Sequence, residues 1–309
     1  MEKILLIDLG GTHIRFTVLS RESNKIDLVT KKKLNLDEEL DLFLKDVLAD
    51  DKNQINNLVF SIAGPKLYGS IGMTNRTLRI DTEKLKEKFN LKNCQILNDW
   101  EAVAYSYPTL KSDDFINLIN LENNFYNNNV LFFGPGTGLG VSFLIDSKFA
   151  QSTEVGNLSL GVKELIGDEL FSTNQFTKIE DTVSGPGISK IYEIKQNKKL
   201  SSEEIFKLAD NGDLISLEII EDLINRLAIL LSQLTLTFQP GKGIYLAGGI
   251  MRTLINFIDK EKFKKQYLSN IKNPQLEILK STPINIVTKE NLELYGCLNY
   301  FNSTQKDSN

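Results

Sequence analysis

The chain has 309 residues, enough for two domains of ordinary size. Hydrophobic residues make up 41% of it and charged residues 25%, and the formal net charge is −4, so the composition lacks the strongly basic balance of most nucleic-acid-binding proteins. Cys94, Cys297 and His13 are the only cysteines and histidine of the chain. They are too few for a disulfide framework, a four-thiolate zinc site or a histidine-based metal centre.

The apolar segments are too short or too polar to enter a membrane. Asp8 ends the apolar run near the N-terminus, and Leu227–Phe238 contains serine, glutamine and threonine. We therefore expect no signal peptide, no membrane partner and a cytoplasmic protein. The acidic balance predicts no nucleic-acid partner.

The first part of the chain alternates between strand-like and helix-like patterns. The predicted elements, in chain order, are a β-hairpin over 3–9 and 13–19, a strand at Ile26–Leu34, a helix at Glu38–Ala49, a strand at Asn57–Ile62, a helix near Asp81–Phe89, a strand at Gln95–Leu97 and a helix after Asn98-Asp99. This order predicts a mixed sheet flanked by helices.

A second set of elements follows an Asn- and Asp-rich stretch that we interpret as connection and surface. The predicted segments are that connection at Lys111–Asn129, a strand at Val130–Phe133 with a second hairpin, a long helix at Asp213–Phe238, a strand at Gly243–Ala247, a final helix at about Glu290–Phe301 and a disordered polar tail at Asn302–Asn309.

Two glycine motifs share one pattern, an apolar run, a Gly-Thr turn and a second apolar run. They are Asp8-Leu9-Gly10-Gly11-Thr12 and Gly134-Pro135-Gly136-Thr137-Gly138. Consecutive backbone N–H groups at such a hairpin tip can bind an anion, and the threonine hydroxyl adds a donor. The pair predicts a nucleotide triphosphate held between two domains. Asp8 beside the first tip suits a Mg²⁺ ion bound through water, although a hairpin turn with an aspartate cap explains the same residues.

A third glycine pair, Gly248-Gly249, ends a predicted strand and opens a helix. Bare backbone at this point allows a contact with adenine or ribose, and a tight strand–helix turn is the alternative. No glycine run in the chain has the dinucleotide-binding or P-loop spacing.

Asn98-Asp99 lies between a predicted strand and a predicted helix. Both residue types favour the N-cap of a helix. Asp99 also suits a general base for an alcohol nucleophile, because a helix N-terminus stabilises an ionised carboxylate. The two interpretations are compatible.

Taken together, the motifs resemble those of bacterial glucokinases, in the hexokinase–actin–heat-shock ATPase superfamily. The matching segments, in family order, are Asp8-x-Gly-Gly-Thr-x-x-Arg15, Met73-Thr74-Asn75, Asn98-Asp99, Gly134 to Gly140, Ser184-Gly185-Pro186-Gly187 and Ala247-Gly248-Gly249-Ile250. The resemblance spans Ile4 to about Phe301. It implies an α/β, two-domain actin-like ATPase fold of the ribonuclease-H-like type, with mixed sheets and an interdomain cleft. We expect a small α/β domain at 1–107 plus 289–309 and a large one at 108–288.

The resemblance also implies a reaction, the ATP- and Mg²⁺-dependent phosphorylation of glucose at its 6-hydroxyl, with Asp99 as the catalytic base. The implied sugar-binding residues are Asn75, Asn98, Asp99, Glu154, Asn157 and Glu180. The implied nucleotide-binding residues are Asp8, Gly10, Gly11, Thr12, Gly136, Thr137, Gly138, Gly248 and Gly249. A homodimer is expected on the same grounds. Without the resemblance, Glu154 and Glu180 would pass for ordinary surface acids.

One segment departs from the family pattern. Glu154-Val155-Gly156-Asn157 stands where the family usually has Glu-x-Gly-His. Asn157 can donate and accept a hydrogen bond, but its side chain is shorter and does not titrate. The change leaves open a kinase of another hexose or of an N-acyl hexosamine, or a weakly active sugar-sensing regulator. The chain also lacks the Cys/His cluster of zinc-containing relatives, so we expect no structural zinc.

Overall fold

The computed structural model describes residues 2–10, 13–23, 25–33, 36–48, 55–67, 70–72, 79–120, 125–269 and 271–306. The strands are β1 Lys3–Leu9, β2 His13–Ser20, β3 Thr30–Lys33, β4 Ile55–Ile62, β5 Lys66–Leu67, β6 Ser70–Gly72, β7 Arg79–Asp81, β8 Asn93–Asn98, β9 Phe115–Ile119, β10 Val130–Pro135, β11 Leu139–Ile145, β12 Phe149–Thr153, β13 Gly243–Leu246 and β14 Ile284–Val287.

The helices flank these strands in the sequence. They are α1 Leu36–Leu48, α2 Thr82–Lys88, α3 Asp99–Tyr105, α4 Val162–Phe171, α5 Glu180–Val183, α6 Gly185–Gln196, α7 Ser202–Asp210, α8 Leu214–Phe238, α9 Gly249–Leu254, α10 Lys260–Tyr267, α11 Gln275–Lys280 and α12 Leu292–Lys306. Within the described ranges, none of them is both long enough and apolar enough to cross a membrane.

The chain divides into two compact units. The small unit comprises Met1–Leu110 and Glu290–Asn309, and the large unit comprises Lys111–Lys289. The expectation from the sequence placed the two boundaries between residues 107 and 108 and between residues 288 and 289.

The small unit is built on a mixed sheet with strand order β3-β2-β1-β4-β8. β1 pairs antiparallel with β2 and parallel with β4. Side chains of β1 alternate between two apolar clusters, because successive residues of a strand point to opposite faces. Leu5 and Ile7 pack in the cluster that contains Phe43 of α1, and Ile4 and Leu6 pack in the one that contains α12. The sheet is therefore covered on both faces.

The large unit repeats this strand plan. Its sheet has the order β12-β11-β10-β13-β14-β9, in which β12, β11 and β10 are antiparallel and β10, β13 and β14 are parallel. β9 adds an antiparallel edge strand beyond the plan shared with the small unit. The β10–β11 hairpin thus takes the place that β1–β2 holds in the small unit. Both predicted hairpins are present, each leading into a parallel strand pair.

Several local predictions were wrong. Lys111–Asn129, which was interpreted as connection and surface, contains strand β9. Asn117 of β9 donates a hydrogen bond to the Asn285 side chain of β14 at 2.6 Å. The third strand begins at Thr30 and not at Ile26. Residues 302–306 continue α12 beyond the predicted end of the last helix. The short strands β5, β6 and β7 form a small sheet that the sequence analysis did not predict.

Helix α12 packs very closely on α3, and a glycine makes the approach possible. A Cβ atom added at Gly296 would overlap the carbonyl group of Ala102 in α3. Both residues are buried, and Leu294 and Cys297 of α12 share an apolar cluster with Ala102. The backbone of α12 therefore supports the helix that begins at Asp99.

We predict that Gly296→Ala destabilises the protein by about 1–3 kcal/mol or more, because the new methyl group displaces the α3 backbone. Urea unfolding should show a lower midpoint with an unchanged slope. Gly72→Ala is the matched control, since a Cβ at Gly72 meets no atom within 4 Å. Equal stability of the two variants would contradict this account of the α3–α12 contact.

Candidate functional site

Asp8 lies near the end of β1 and is only 4% exposed. Its cross-strand partner on β2, Arg15, donates a hydrogen bond from Nη1 to Asp8 Oδ2 at 2.8 Å. Its partner on the parallel strand β4, Ser61, donates from Oγ to Asp8 Oδ1 at 3.3 Å. The register of the central strands thus brings both partners to the carboxylate.

Other carboxylates lie close enough to Asp8 to act on it electrostatically. Burial raises the pKa of Asp8, nearby Glu293 raises it further, Arg15 lowers it, and Asp99 adds a smaller increase, which together bring the pKa to about 7. Glu293 lies in the first turn of α12 and Asp99 begins α3. The end of β1 and the starts of α3 and α12 therefore form one acidic region of the small unit.

The start of α3 is fixed by a reciprocal capping arrangement. Asn98 Oδ1 accepts hydrogen bonds from Trp100 N at 2.9 Å and Glu101 N at 3.2 Å, and Glu101 Oε2 accepts from Asn98 N at 3.2 Å. Asn98 Nδ2 donates to the Gly64 carbonyl at 2.8 Å. Asn98 is thus the helix cap, and Asp99 is the first helical residue, half-buried at the helix N-terminus. An ionised carboxylate is favoured in that position.

The tip of the β10–β11 hairpin is anchored from two directions. Gly136 N donates to Gly138 O at 2.8 Å, and Gly136 O accepts from Gly185 N, at the start of α6, at 2.9 Å. No described residue accepts a hydrogen bond from the N–H groups of Thr137 and Gly138. Two backbone donors at one tip suit a phosphate group.

The third glycine motif lies beside the same tip. A Cβ added at Gly248, which has a φ of +101°, would lie 3.4 Å from the Pro135 carbonyl oxygen. Ala247 N donates to Phe133 O at 2.9 Å. The structure therefore brings together the second and third glycine motifs and Gly185, which are remote in the sequence.

Glu154, Asn157 and Glu180 also come together in the large unit. Asn157 Nδ2 donates to Glu154 Oε2 at 2.8 Å, and Glu180 Oε2 accepts from Leu139 N at 3.1 Å. Lys178 connects the Glu154–Asn157 pair to Glu180, because its ammonium donates to Asn157 Oδ1 at 3.3 Å and forms an ion pair with Glu180 Oε1. Nothing in the sequence distinguishes Lys178 from other lysines, and the sequence analysis did not identify it.

Two glycines allow close approach where Glu180 meets the hairpin tip. A Cβ at Gly138 would lie 2.5 Å from Glu180 Oε2. At Gly156 it would lie 2.7 Å from the Leu139 carbonyl and 3.3 Å from the same carboxylate. The backbones at Gly138 and Gly156 therefore both lie against the Glu180 carboxylate. Glu180 thus connects the cluster of Glu154, Asn157 and Glu180 to the Thr137 loop.

The remaining predicted residues fall into two groups. Gly10 closes the first hairpin through a hydrogen bond from its N to His13 O at 3.0 Å, and Gly249 begins α9. Gly11, Thr12 and Asn75 lie outside the described residues.

The carboxylates do not form a preformed metal cage. Among the described residues, no group of three or more His, Cys, Asp or Glu side chains could hold a metal ion. At the first hairpin Asp8 offers two carboxylate oxygens, and each has a second lone pair beyond its bond to Arg15 or Ser61. This donor set fits Mg²⁺ held chiefly by phosphate oxygens and water, with one carboxylate.

Comparison with known proteins places these features in one family. The family model described as Glucokinase matches residues 5–304. A glucokinase from Colwellia psychrerythraea is 27% identical, with 96% of each chain covered. The crystal structure of a glucokinase from an Antarctic psychrotroph has a TM-score of 0.81 at 23% identity, covering 98% of this chain and 99% of that one. A putative N-acetylmannosamine kinase from Listeria monocytogenes has a TM-score of 0.72 at 20% identity, covering 98% and 99%. The predicted α/β fold is confirmed.

We predict that Asp8 makes stability fall as the pH rises. Below a pKa of about 7 the folded protein keeps a proton on Asp8 that the unfolded chain has lost, so ionisation above that value opposes folding. Relative to Asp8→Asn, the wild-type free energy of unfolding should increase as the pH is lowered from about 8 to about 5, by on the order of 1 kcal/mol per pH unit at most.

The measurement is urea unfolding of the metal-free proteins across that range. Asp46→Asn, at an exposed position of α1, is the control and should track the wild type at every pH. A wild-type stability that instead rises with pH relative to Asp8→Asn would contradict the assigned direction of the Asp8 shift.

Proposed function

Because the chain belongs to the glucokinase family, a family of sugar kinases, we propose that it transfers the γ-phosphoryl group of ATP to the 6-hydroxyl of glucose. The products are glucose 6-phosphate and ADP. The observation that carries the proposal is the placement of Asp99, a half-buried carboxylate at the start of a helix whose cap is supplied by the adjacent Asn98.

Asp99 acts as the general base. It accepts the proton of the 6-hydroxyl as that oxygen bonds to the γ-phosphorus and the bond from phosphorus to the ADP oxygen breaks. A helix N-terminus favours the ionised form of a carboxylate, which is the form able to take the proton. Asn98 positions Asp99 by capping the helix, and its second amide hydrogen is available to a sugar hydroxyl.

The nucleotide is held mainly by backbone groups. The N–H groups of Thr137 and Gly138 and the Thr137 hydroxyl donate to phosphate oxygens, and Gly248-Gly249 lies against the nucleoside. Gly11 and Thr12 have the same role at the first hairpin, which Gly10 closes by donating from its N to His13 O and at which it offers bare backbone to the nucleotide. Asp8 would hold Mg²⁺ through water, and the bound ion would neutralise charge on the phosphates.

Carboxylate and amide side chains hold the sugar. Glu154 and Glu180 accept hydrogen bonds from hydroxyl groups, and Asn157, Asn98 and Asn75 both donate and accept. The contact from Asn157 to Glu154 supports this assignment, because it places an amide and a carboxylate side by side on one loop.

A second candidate function is the phosphorylation of another hexose or of an N-acyl hexosamine. Asn157, in place of the family's histidine, favours it, and a similar fold occurs in the putative N-acetylmannosamine kinase. A weakly active sugar-sensing regulator is disfavoured because Asp99 and the Thr137 loop are both present. A cytoplasmic location remains a prediction from the sequence, and a glycolytic role and a homodimer remain predictions from the family resemblance.

We predict that Asp99→Asn lowers kcat by roughly 10²–10⁴ and leaves glucose affinity little changed, because only proton transfer is lost. Trp100 is the single tryptophan of the chain and follows Asp99 directly, so its fluorescence can report glucose binding. Asp46→Asn serves as the control for loss of a carboxylate elsewhere in the small unit. Full turnover by Asp99→Asn would refute the assignment of the base.

The preferred sugar is tested by ADP release over a panel of hexoses and N-acyl hexosamines. We expect kcat/KM for glucose to exceed that for mannose and N-acetylmannosamine by at least about tenfold, equal to 1.4 kcal/mol of transition-state binding. A higher value for an N-acyl hexosamine would favour the second candidate function instead.

A further inference from the structure

Lys178 lies in the connection between α4 and α5, at the centre of the group formed by Glu154, Asn157 and Glu180. Its ammonium pairs with Glu180 Oε1 and donates to Asn157 Oδ1 at 3.3 Å. The Lys178 side chain is 37% exposed and that of Glu180 is 22% exposed. An ammonium has three N–H donors, so one remains for a bound molecule.

These contacts fix the orientation of Asn157. Its Nδ2 donates to Glu154 Oε2 at 2.8 Å, while its Oδ1 accepts from Lys178. With the bond from Leu139 N to Glu180, a continuous hydrogen-bonded path runs from Glu154 to the hairpin tip. Lys178 therefore pairs directly with Glu180 and reaches Glu154 through Asn157. Asp181, whose carboxylate accepts from Lys178 N at 3.2 Å, is a third acidic neighbour.

We propose that Lys178 is a specificity-determining residue, which makes the site favour an uncharged hexose over a sugar that carries a protonated amine. The inference rests on the proposed function, in which Glu154 and Glu180 bind sugar hydroxyls. Two carboxylates without a cation would attract an ammonium group on the sugar, whereas Lys178 neutralises one of them and repels that group. A neutral hydroxyl group still finds carboxylate acceptors and the third Lys178 donor.

The test compares glucose with 2-amino-2-deoxyglucose, which has an amine in place of one hydroxyl. For Lys178→Met we expect the ratio of kcat/KM for the amino sugar to that for glucose to rise about tenfold, mainly through KM. Lys178→Arg, which keeps the charge, should retain the wild-type ratio. Lys195→Met is the matched control, since Lys195 forms an ion pair with Glu218 at 2.7 Å elsewhere in the large unit.

Measuring the kcat/KM ratio at two pH values distinguishes an effect of the charge of Lys178 from a structural effect of its replacement. The shift in the Lys178→Met ratio should be present below the pKa of the sugar amine and should disappear above it, where both sugars are neutral. A loss of packing alone would change the two sugars alike at both pH values. An unchanged ratio in Lys178→Met, or an equal shift in Lys195→Met, would overturn the proposal.

Calorimetric binding of both sugars without nucleotide gives the same ratio independently of turnover. Binding of glucose without phosphorylation would contradict the proposed function, and the Lys178→Met binding ratio would still decide the role of Lys178. If the wild type binds neither sugar, both proposals are wrong.

Discussion

The hydrogen bonds of Asn98 are the constraint on which the small unit's candidate site depends. One side chain accepts from two backbone groups of α3 and donates to the Gly64 carbonyl, and the Glu101 side chain completes the cap. The cap sets where α3 begins, and the close contact of Gly296 with Ala102 packs α12 against α3. Asp99 therefore owes its position to backbone contacts rather than to a flexible loop.

The two units use one strand plan for two different purposes. In the small unit, the central hairpin bears a buried carboxylate, Asp8, paired with Arg15 across the strands. In the large unit, the equivalent hairpin ends in a glycine loop with exposed donors, and Glu180 supports the loop from outside by accepting from Leu139 N. A buried ion pair and a glycine loop are thus built on the same β-hairpin framework.

Much of this arrangement could be predicted from the sequence, for identifiable reasons. The two hairpins could be predicted because apolar runs flank their Gly-Thr turns. The helix cap at Asn98 could be predicted because asparagine favours the N-cap position. Strand β9 was missed because it is an edge strand with few buried side chains within an Asn-rich stretch. Lys178 could not be found, since its contacts join residues that the fold alone brings together. The burial of Asp8, and hence its raised pKa, likewise depends on packing from α12 and β4.

Phosphorus NMR of the wild-type reaction shows which atom receives the phosphoryl group. With glucose, ATP and Mg²⁺, we expect a sugar phosphate carrying its phosphorus on the 6-oxygen, formed in equal amount with ADP. Release of inorganic phosphate in place of a sugar phosphate, or phosphorylation at another hydroxyl, would show that Asp99 does not deprotonate the group assigned to it.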